Sequence, residues 1–407
     1  MAKIQIELQT VDPKEHYKRQ VAPLEHPDLD ECEVNIKNIG WTLGNDCPYR
    51  CTHCYSMSAR EKGQNLSIKI VNRIVDQLAK NGVETVNLGG NEPIFTNGLS
   101  TKQTHLPYII DHLTEMGIDV GLTTSGITAI VLEKDYPDSF AQLNDVDISL
   151  DSPFEAEHNT NRGASLYRQA LKALEICQDY GIARTIIMCG MNWNFSTHHL
   201  EELVNLATKY DAQIRINPLK PVEAKFMAAA LTPEQYYEGF ALLMKLTNPI
   251  DLGEPPLATM TRYEDARGCP CGRTSFRIHS ITPDGKVPVS PCVYLHDYKV
   301  GDLVKDELFD IIHTPQFRTF RRRNANPNVI PGCENCSHIS WCKGGCAARS
   351  YLHHVHETGQ RSLFVKDPYC PAEYSTFQDI FPKDVELEIG IKLVHQDYLC
   401  TWIGKPK

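Results

Sequence analysis

The sequence predicts an α/β fold: about six strand–helix beats between residues 33 and 219, then a small cysteine-rich region over about 268–382. Two observations predict it. Short β-branched runs alternate with capped amphipathic segments, the pattern that builds a parallel sheet with helices outside it. Cysteine, 15 residues in all, is concentrated in one group near the start and another in the last third. In a chain of this length, clustered thiols read as metal or redox ligands rather than as a disulfide framework.

Each beat has its own signals. Residues 33–41 alternate like a strand and run into the first cysteine loop. Ser67 caps a helix that sets Ile68, Val71, Ile74, Val75 and Leu78 on one face. Residues 85–88 form a short strand ending in Gly89-Gly90-Asn91-Glu92-Pro93. A helix near 105–116 leads to a strand at 119–122, which ends in Thr123-Thr124-Ser125-Gly126. A further helix near 128–134 precedes the strand 146–151, and helices near 165–180 and 197–209 feed strands at 184–188 and 213–216. Six beats are too few for a closed eight-fold barrel. In such folds, sites lie at the carboxyl ends of the strands. The unusual residues fall there, at 89–93, 123–126, 149–151, 189–192 and 217–218, so one mouth is being lined.

Thr232-Pro233-Glu234-Gln235 is a capping box that opens a helix to about Leu246. The chain then divides into an N-terminal extension (1–32), the alternating domain (33–248), a Pro- and Gly-containing linker (249–267), the cysteine-rich domain (268–382) and a tail (383–407). The cysteine-rich part has few long periodic segments and is expected to need bound metal for order. Composition excludes other classes. Apolar content of 42% and charged content of 23% fit an ordered globular chain. No run approaches the ~18 apolar residues of a membrane span, and the start lacks the apolar core of a secretory signal. A formal charge of −10 argues against a general phosphate-backbone binder. A soluble, cytoplasmic protein with no nucleic-acid or membrane partner is expected.

Cys47, Cys51 and Cys54 form a Cys-x3-Cys-x2-Cys loop. Three thiolates can hold three corners of an iron–sulfur cubane and leave one iron open; zinc with three thiolates and a water is the alternative. This triplet, its place after the first strand and the glycine loop after the second resemble the radical S-adenosylmethionine enzymes. The resemblance implies a partial (β/α)6 barrel. It also implies a [4Fe-4S] cluster on Cys47, Cys51 and Cys54 whose open iron chelates S-adenosylmethionine. Reductive cleavage of that cofactor gives a 5′-deoxyadenosyl radical that takes hydrogen from the substrate. Residue by residue, His53 holds the usually aromatic position that packs on adenine. Gly89, Gly90 and Glu92 match a Gly-Gly-Glu-Pro loop with Asn91 inserted, and Thr124 and Ser125 reach toward the ribose. Ser149 and Asp151 match a Ser-Leu-Asp strand end. Arg162 offers a planar fork suited to the cofactor carboxylate.

The second group is Cys333-x2-Cys336-x5-Cys342-x3-Cys346 followed by Cys370, with Cys269, Cys271 and Cys292 upstream. Alone, its Cys-x2-Cys would be consistent with zinc. Beside the triplet it resembles the SPASM extension of the same enzymes, an iron–sulfur C-terminal domain, which implies two auxiliary clusters and three [4Fe-4S] clusters in all. By that resemblance Cys333, Cys336, Cys342 and Cys370 hold the outer cluster. Cys292 and Cys346, with Cys271 and Cys269, hold the inner one; the Cys269-Pro-Cys271 pair is tighter than the family's usual spacing. Cys32, Cys177, Cys189 and Cys400 read as packing residues. Cys189, at the mouth after the fifth strand, is also a candidate hydrogen donor or proton relay.

Enzymes with this extension act mostly on peptides or proteins. The leading expectation is a maturase of a ribosomally made peptide, forming a cross-link or excising tyramine. The rivals are an anaerobic sulfatase-type or redox-cofactor maturase and a non-catalytic iron–sulfur or zinc scaffold. Expected partners are a precursor peptide and an external electron donor such as flavodoxin or ferredoxin. A separate leader-peptide-binding protein is also expected, because only about 32 residues precede the first strand. Phe317, Arg318, Phe320, Arg321, Arg322 and Arg323 read first as a solvated helix face, with a dock for an acidic leader as the alternative. His353, His354 and His356 read as surface histidines.

Overall fold

The computed structural model describes residues 24–44, 46–56, 65–383 and 385–407. Six strands pair in parallel in sequence order: β1 (Asn38–Trp41), β2 (Thr85–Leu88), β3 (Asp119–Thr124), β4 (Asp145–Ser149), β5 (Ala183–Gly190) and β6 (Gln213–Pro218). Their residues are mostly buried because helices cover the outer face. Those helices are α1 (Ile68–Lys80), α2 (Leu106–Glu115), α3 (Ile127–Asp135), α4 (Glu155–Arg162), α5 (Tyr167–Asp179), α6 (Thr197–Lys209) and α7 (Pro233–Leu246). Local chemistry starts them as the sequence indicates. Ser67 accepts from the Ile70 N–H at the head of α1, and Thr232 and Gln235 form the reciprocal capping box of α7. The partial barrel with six parallel beats is borne out.

The sheet continues beyond those beats. Its order is β7-β10-β6-β5-β4-β3-β2-β1-β8-β9, where β7 is Thr247–Leu252, β8 Ser275–Ile278, β9 Val289–Ser290 and β10 Trp402–Pro406. β8 runs parallel to β1, and β10 lies antiparallel between β6 and β7. One expectation is corrected here. The segment 249–267 is not a linker: it completes β7 and holds α8 (Pro255–Thr261), every residue of which is buried. Pro255 and Pro256 open this helix, where a missing N–H costs nothing. The tail supplies β10. Of the extension expected over 1–32, residues 1–23 lie outside the described residues.

Before reaching β10 the tail runs through the barrel interior. At the amino ends of the strands, Asn144 Nδ2 donates to Lys392 O (3.1 Å) and the Val394 N–H to Asp145 Oδ1 (2.8 Å). His395 Nε2 then lies 3.3 Å from Thr123 Oγ1, and Tyr398 reaches the inner face of β1. Glycines make the room. A Cβ on Gly121 would stand 2.8 Å from Val394 Cβ, and one on Gly40 would overlap the Tyr398 hydroxyl. Gly121→Ala is therefore expected to lower stability by about 1–3 kcal/mol through overpacking, read as a lower Tm. Adding Val394→Ala should recover part of that loss, and Gly190→Ala, whose Cβ would meet only ordinary contacts at 3.4 Å or more, should cost less.

Candidate active site

The thiol triplet sits in the loop after β1 and is held there by the end of α4. The Thr52 N–H donates to Asn161 O (3.0 Å), and Asn161 Nδ2 donates to His53 Nδ1 (3.1 Å). Gly163, at φ 66° past the end of α4, lets the Arg50 carbonyl approach to 3.2 Å of where a Cβ would be. Arg162 points Nη1 at Cys51 Sγ (3.9 Å) and donates Nε to Asp151 Oδ2 (2.6 Å). The three thiols feel one another's charge; burial pushes Cys47 up to about 12 and also raises Cys51, against the pull of Arg162.

Asp151 is the hub of this mouth. Its Oδ2 accepts from Arg162 and from Asn161 Nδ2 (2.9 Å), with His53 Nε2 at 3.5 Å. Its Oδ1 accepts the Cys189 N–H (3.3 Å), its N–H donates to His158 Nδ1 (3.1 Å), and its carbonyl accepts from Asn194 Nδ2 (2.6 Å). Burial alone would raise the Asp151 carboxyl, but Arg162 and then His53 outweigh it and hold it well below the usual carboxylate range. Burial lowers His53, against the opposing pull of Asp151. Burial also raises the Cys189 thiol, keeping it protonated beside Asp151.

His53, Ser149, Asp151, Arg162 and Cys189 line one cavity of about 120 Å³. Gly89, Gly90, Glu92, Thr124 and Ser125 do not line it. Thr124 Oγ1 donates to Glu92 Oε1, and Ser125 donates to Glu92 Oε2 through Oγ (2.6 Å) and N–H (3.0 Å). Those two hydroxyls are committed to a buried carboxylate that ties the glycine loop to the start of α3. Asn91 ties the same loop to the triplet loop by donating to Gly44 O (2.7 Å). Gly90, at φ 97°, leaves room for Arg277, which donates to Gly89 O (2.5 Å) and Thr42 Oγ1.

Arg277, Arg215, Lys220, Tyr294, His395 and Tyr398 also line the cavity, and sequence reading missed them all. Arg277, Tyr294, His395 and Tyr398 come from segments far along the chain. Arg215 and Lys220 fall at the end of the sixth beat, where a cation after a strand was the available signal. Deeper in, Asp145, Asp147 and His395 bring ligand atoms within 4.8 Å of one another. The Arg215 guanidinium, 2.6 Å from Asp147 Oδ2, already supplies positive charge to that set.

The second cysteine group separates in space into two. Cys333, Cys336, Cys342 and Cys370 lie near enough for their charges to interact, with Cys336 only half-buried. Cys269, Cys271, Cys292 and Cys346 are buried together, and Cys400 joins them from the tail. Sequence reading placed Cys400 among packing residues because nothing local links it to this group. Both sets offer sulfur donors, the chemistry that suits iron–sulfur ligation.

The basic stretch corrects both of its readings. In α9 (Pro315–Ala325), Phe317, Phe320, Arg321, Arg322 and Arg323 are buried. Arg318, Arg321 and Arg322 converge on Glu31 at 3.0–3.2 Å, and Arg323 donates to the carbonyls of Leu363, Gly344 and Gly345. The stretch is an internal clamp. His353 is buried as well, and His356 Nε2 lies 2.7 Å from Pro221 O, so neither is a free surface histidine.

A thiol triplet docked beside a buried Arg–Asp pair at the mouth of a six-beat barrel, with a second thiol-rich region packed against it, defines a radical S-adenosylmethionine enzyme. Residues 41–207 match the Radical SAM superfamily and residues 269–337 match the SPASM iron–sulfur cluster-binding domain. The chain carries a Radical SAM domain and a SPASM domain. It is 26% identical over 351 residues to mycofactocin maturase MftC of Mycobacterium ulcerans, covering 83% of this chain and 88% of that one. Its fold is similar to that of anSMEcpe with bound AdoMet and Cp18Cys peptide (TM-score 0.61, 18% identity, 85% and 96% of the two chains). It is also similar to that of Streptococcus suis SuiB bound to precursor peptide SuiA (TM-score 0.58, 16% identity, 83% and 76%). Among the described residues no helix is long and apolar enough to cross a membrane.

Burial raises the Asp145 carboxyl to about 6. A folded-state value above the unfolded one contributes stability that is complete below about pH 4 and lost as pH rises through about 6. Asp145→Asn, permanently uncharged, should therefore raise Tm relative to wild type at pH 8 by more than it does at pH 4, measured by thermal unfolding across that range.

Proposed function

We propose that this protein is a peptide maturase that uses S-adenosylmethionine to take hydrogen from a ribosomally made peptide. The observation that carries the reading is the docking of the triplet loop on Asp151 and Arg162 at the rim of a cavity bounded on its far side by the second cysteine region. Cys47, Cys51 and Cys54 would hold the first cluster and leave one iron for the cofactor. When bound and reduced, that pair supplies the 5′-deoxyadenosyl radical of the reaction. Arg162 offers donors to the cofactor carboxylate while Asp151 fixes its orientation. The His53 ring would pack on the adenine, and Ser149 would reach the methionine or ribose part. Gly89 and Gly90 present backbone at the methionine amino group. Glu92, Thr124 and Ser125, linked to one another, brace that loop rather than bind.

The two further thiol groups support a count of three [4Fe-4S] clusters. The outer one, on Cys333, Cys336, Cys342 and Cys370, has its half-buried Cys336 toward the surface, where an external donor such as flavodoxin or ferredoxin would pass electrons. A peptide substrate is supported by the similarity to a mycofactocin maturase and by the likeness in fold to proteins solved with a Cp18Cys peptide and with precursor peptide SuiA.

The test is anaerobic incubation of reconstituted protein with S-adenosylmethionine, a reductant and a precursor peptide. 5′-Deoxyadenosine is expected together with a product lighter by two hydrogens if a cross-link forms, or by a larger fragment if tyramine is excised. Replacing Cys47, Cys51 and Cys54 together by Ala should abolish both signals. Deoxyadenosine from that triple variant would refute the assignment of the first cluster, and cofactor cleavage with no change in any peptide mass would refute the substrate class.

A further inference from the structure

The inner thiol group holds one sulfur more than a four-iron cubane takes. Cys269, Cys271, Cys292, Cys346 and Cys400 are each at most 3% exposed. All five pack into one buried cluster, near enough for their thiols to interact, with Cys400 beside both Cys269 and Cys346. We propose that Cys400, carried in by the C-terminal segment, is a ligand of the inner auxiliary cluster together with Cys292, Cys346 and one member of the Cys269–Cys271 pair.

The backbone around Cys400 is fixed residue by residue. Ser275 Oγ donates to Tyr398 O (2.5 Å), Arg267 Nη2 to Leu399 O (2.7 Å) and Lys220 Nζ to Cys400 O (3.1 Å), while Thr401 Oγ1 donates to Ile216 O (2.9 Å). Groups from β6, β8 and the loops beside them thus hold four successive residues, which sets the direction of the Cys400 side chain. A cysteine buried only for packing behaves as a small hydrophobe, as Cys177 does among the apolar residues of α5. Cys400 instead sits among sulfurs, and Lys220 lies near enough for its charge to act on both Cys346 and Cys400. A nearby cation offsets the negative charge that several thiolates bring to one site. Cys269 and Cys271 are separated only by Pro270, too tight a spacing to serve two corners of a cube, so one of them takes one corner and Cys400 supplies another. Each thiol that becomes a ligand releases its proton to solvent, and that step transfers no electron.

This inference rests on the three-cluster reading above, so the test separates the two. Full-length protein with Cys47, Cys51 and Cys54 replaced by Ala is reconstituted anaerobically, and its iron, sulfide, electron paramagnetic resonance and Mössbauer spectra are recorded. That background is expected to hold about eight irons as two clusters. A content of about four removes the inner cluster, and this inference falls with it. Given about eight, adding Cys400→Ala should lower iron to about four or replace one four-iron signal by a three-iron signal. The retained outer-cluster signal reports that the chain is folded. Cys400→Ser, which keeps the shape and offers oxygen in place of sulfur, should shift the spectrum of one cluster, and Cys177→Ala should change nothing. Should Cys400→Ala fail to fold, Cys400→Ser decides: unchanged iron and unchanged spectra in that variant overturn the proposal.

Discussion

Six strands leave a barrel interior that their own side chains do not fill, and the structure depends on what fills it. Here the filling is the C-terminal segment. Lys392 and Val394 meet the amino ends of β3 and β4, His395 and Tyr398 occupy the middle and the mouth, and β10 then seals the flank between β6 and β7. The interior so formed is polar as well as tight. Asp145, Asp147, Arg215 and His395 are buried within it, and an unpaired buried charge would be costly. Arg215 answers Asp147 at 2.6 Å, and burial presses His395 down to about 3, leaving a neutral ring 3.2 Å from Asp147 Oδ2. The glycines at 40 and 121 are the steric counterpart of this arrangement, since any Cβ there would meet the tail.

At the mouth, one carboxylate organises the chemistry. Asp151 joins the end of β4 to α4 through Arg162 and Asn161, to the triplet loop through His53, and to the end of β5 through the Cys189 N–H. Holding a fully buried carboxylate ionised requires several donors at once, and those donors come from α4 and the end of β5. The ionisation of Asp151 and the shape of the site are therefore one requirement. Arg162 cannot move away without leaving Asp151 short of its principal counter-charge.

What the sequence made legible follows from how local each signal is. Ser67 and the Thr232–Gln235 box act within one helical turn, so the helices they open are readable from a few letters. The thiol triplet and the second cysteine run are legible for the same reason, because ligands for one metal group are packed into short loops. Pro255 and Pro256 misled because proline marks a loop and a helix start equally well, and only the burial of α8 decides between them. The Arg321–Arg323 run misled because its partners, Glu31 and the carbonyls of Leu363, Gly344 and Gly345, are distant in sequence. Arg277, His395, Tyr398 and Cys400 share that property. Each acquires its role only when the tail or β8 is laid against the barrel, and nothing in their neighbours announces it.

The same non-local contacts make the two halves of the chain interdependent. Lys220, on the cavity wall, reaches Glu254 Oε1 at 3.3 Å. Arg349 donates to Glu254 Oε2 (2.7 Å) and grips Asp367 with two bonds of 2.8 Å, and Asp367 Oδ2 accepts the Cys346 N–H (2.8 Å). This line of buried charges runs from the barrel to the backbone of the inner thiol group, with Tyr236 and Tyr369 flanking the guanidinium. Removing one member of such a network leaves a buried charge unpaired, at a cost of about 3–5 kcal/mol. Glu254 belongs to the segment before α8, Arg349 to the helix Ala347–Thr358 and Lys220 to the loop after β6, so the network forms only once all three are in place. The cysteine-rich region cannot reach its ordered state as a separate unit, because the charges that fix Cys346 are answered from the barrel and the sulfur of Cys400 arrives through it.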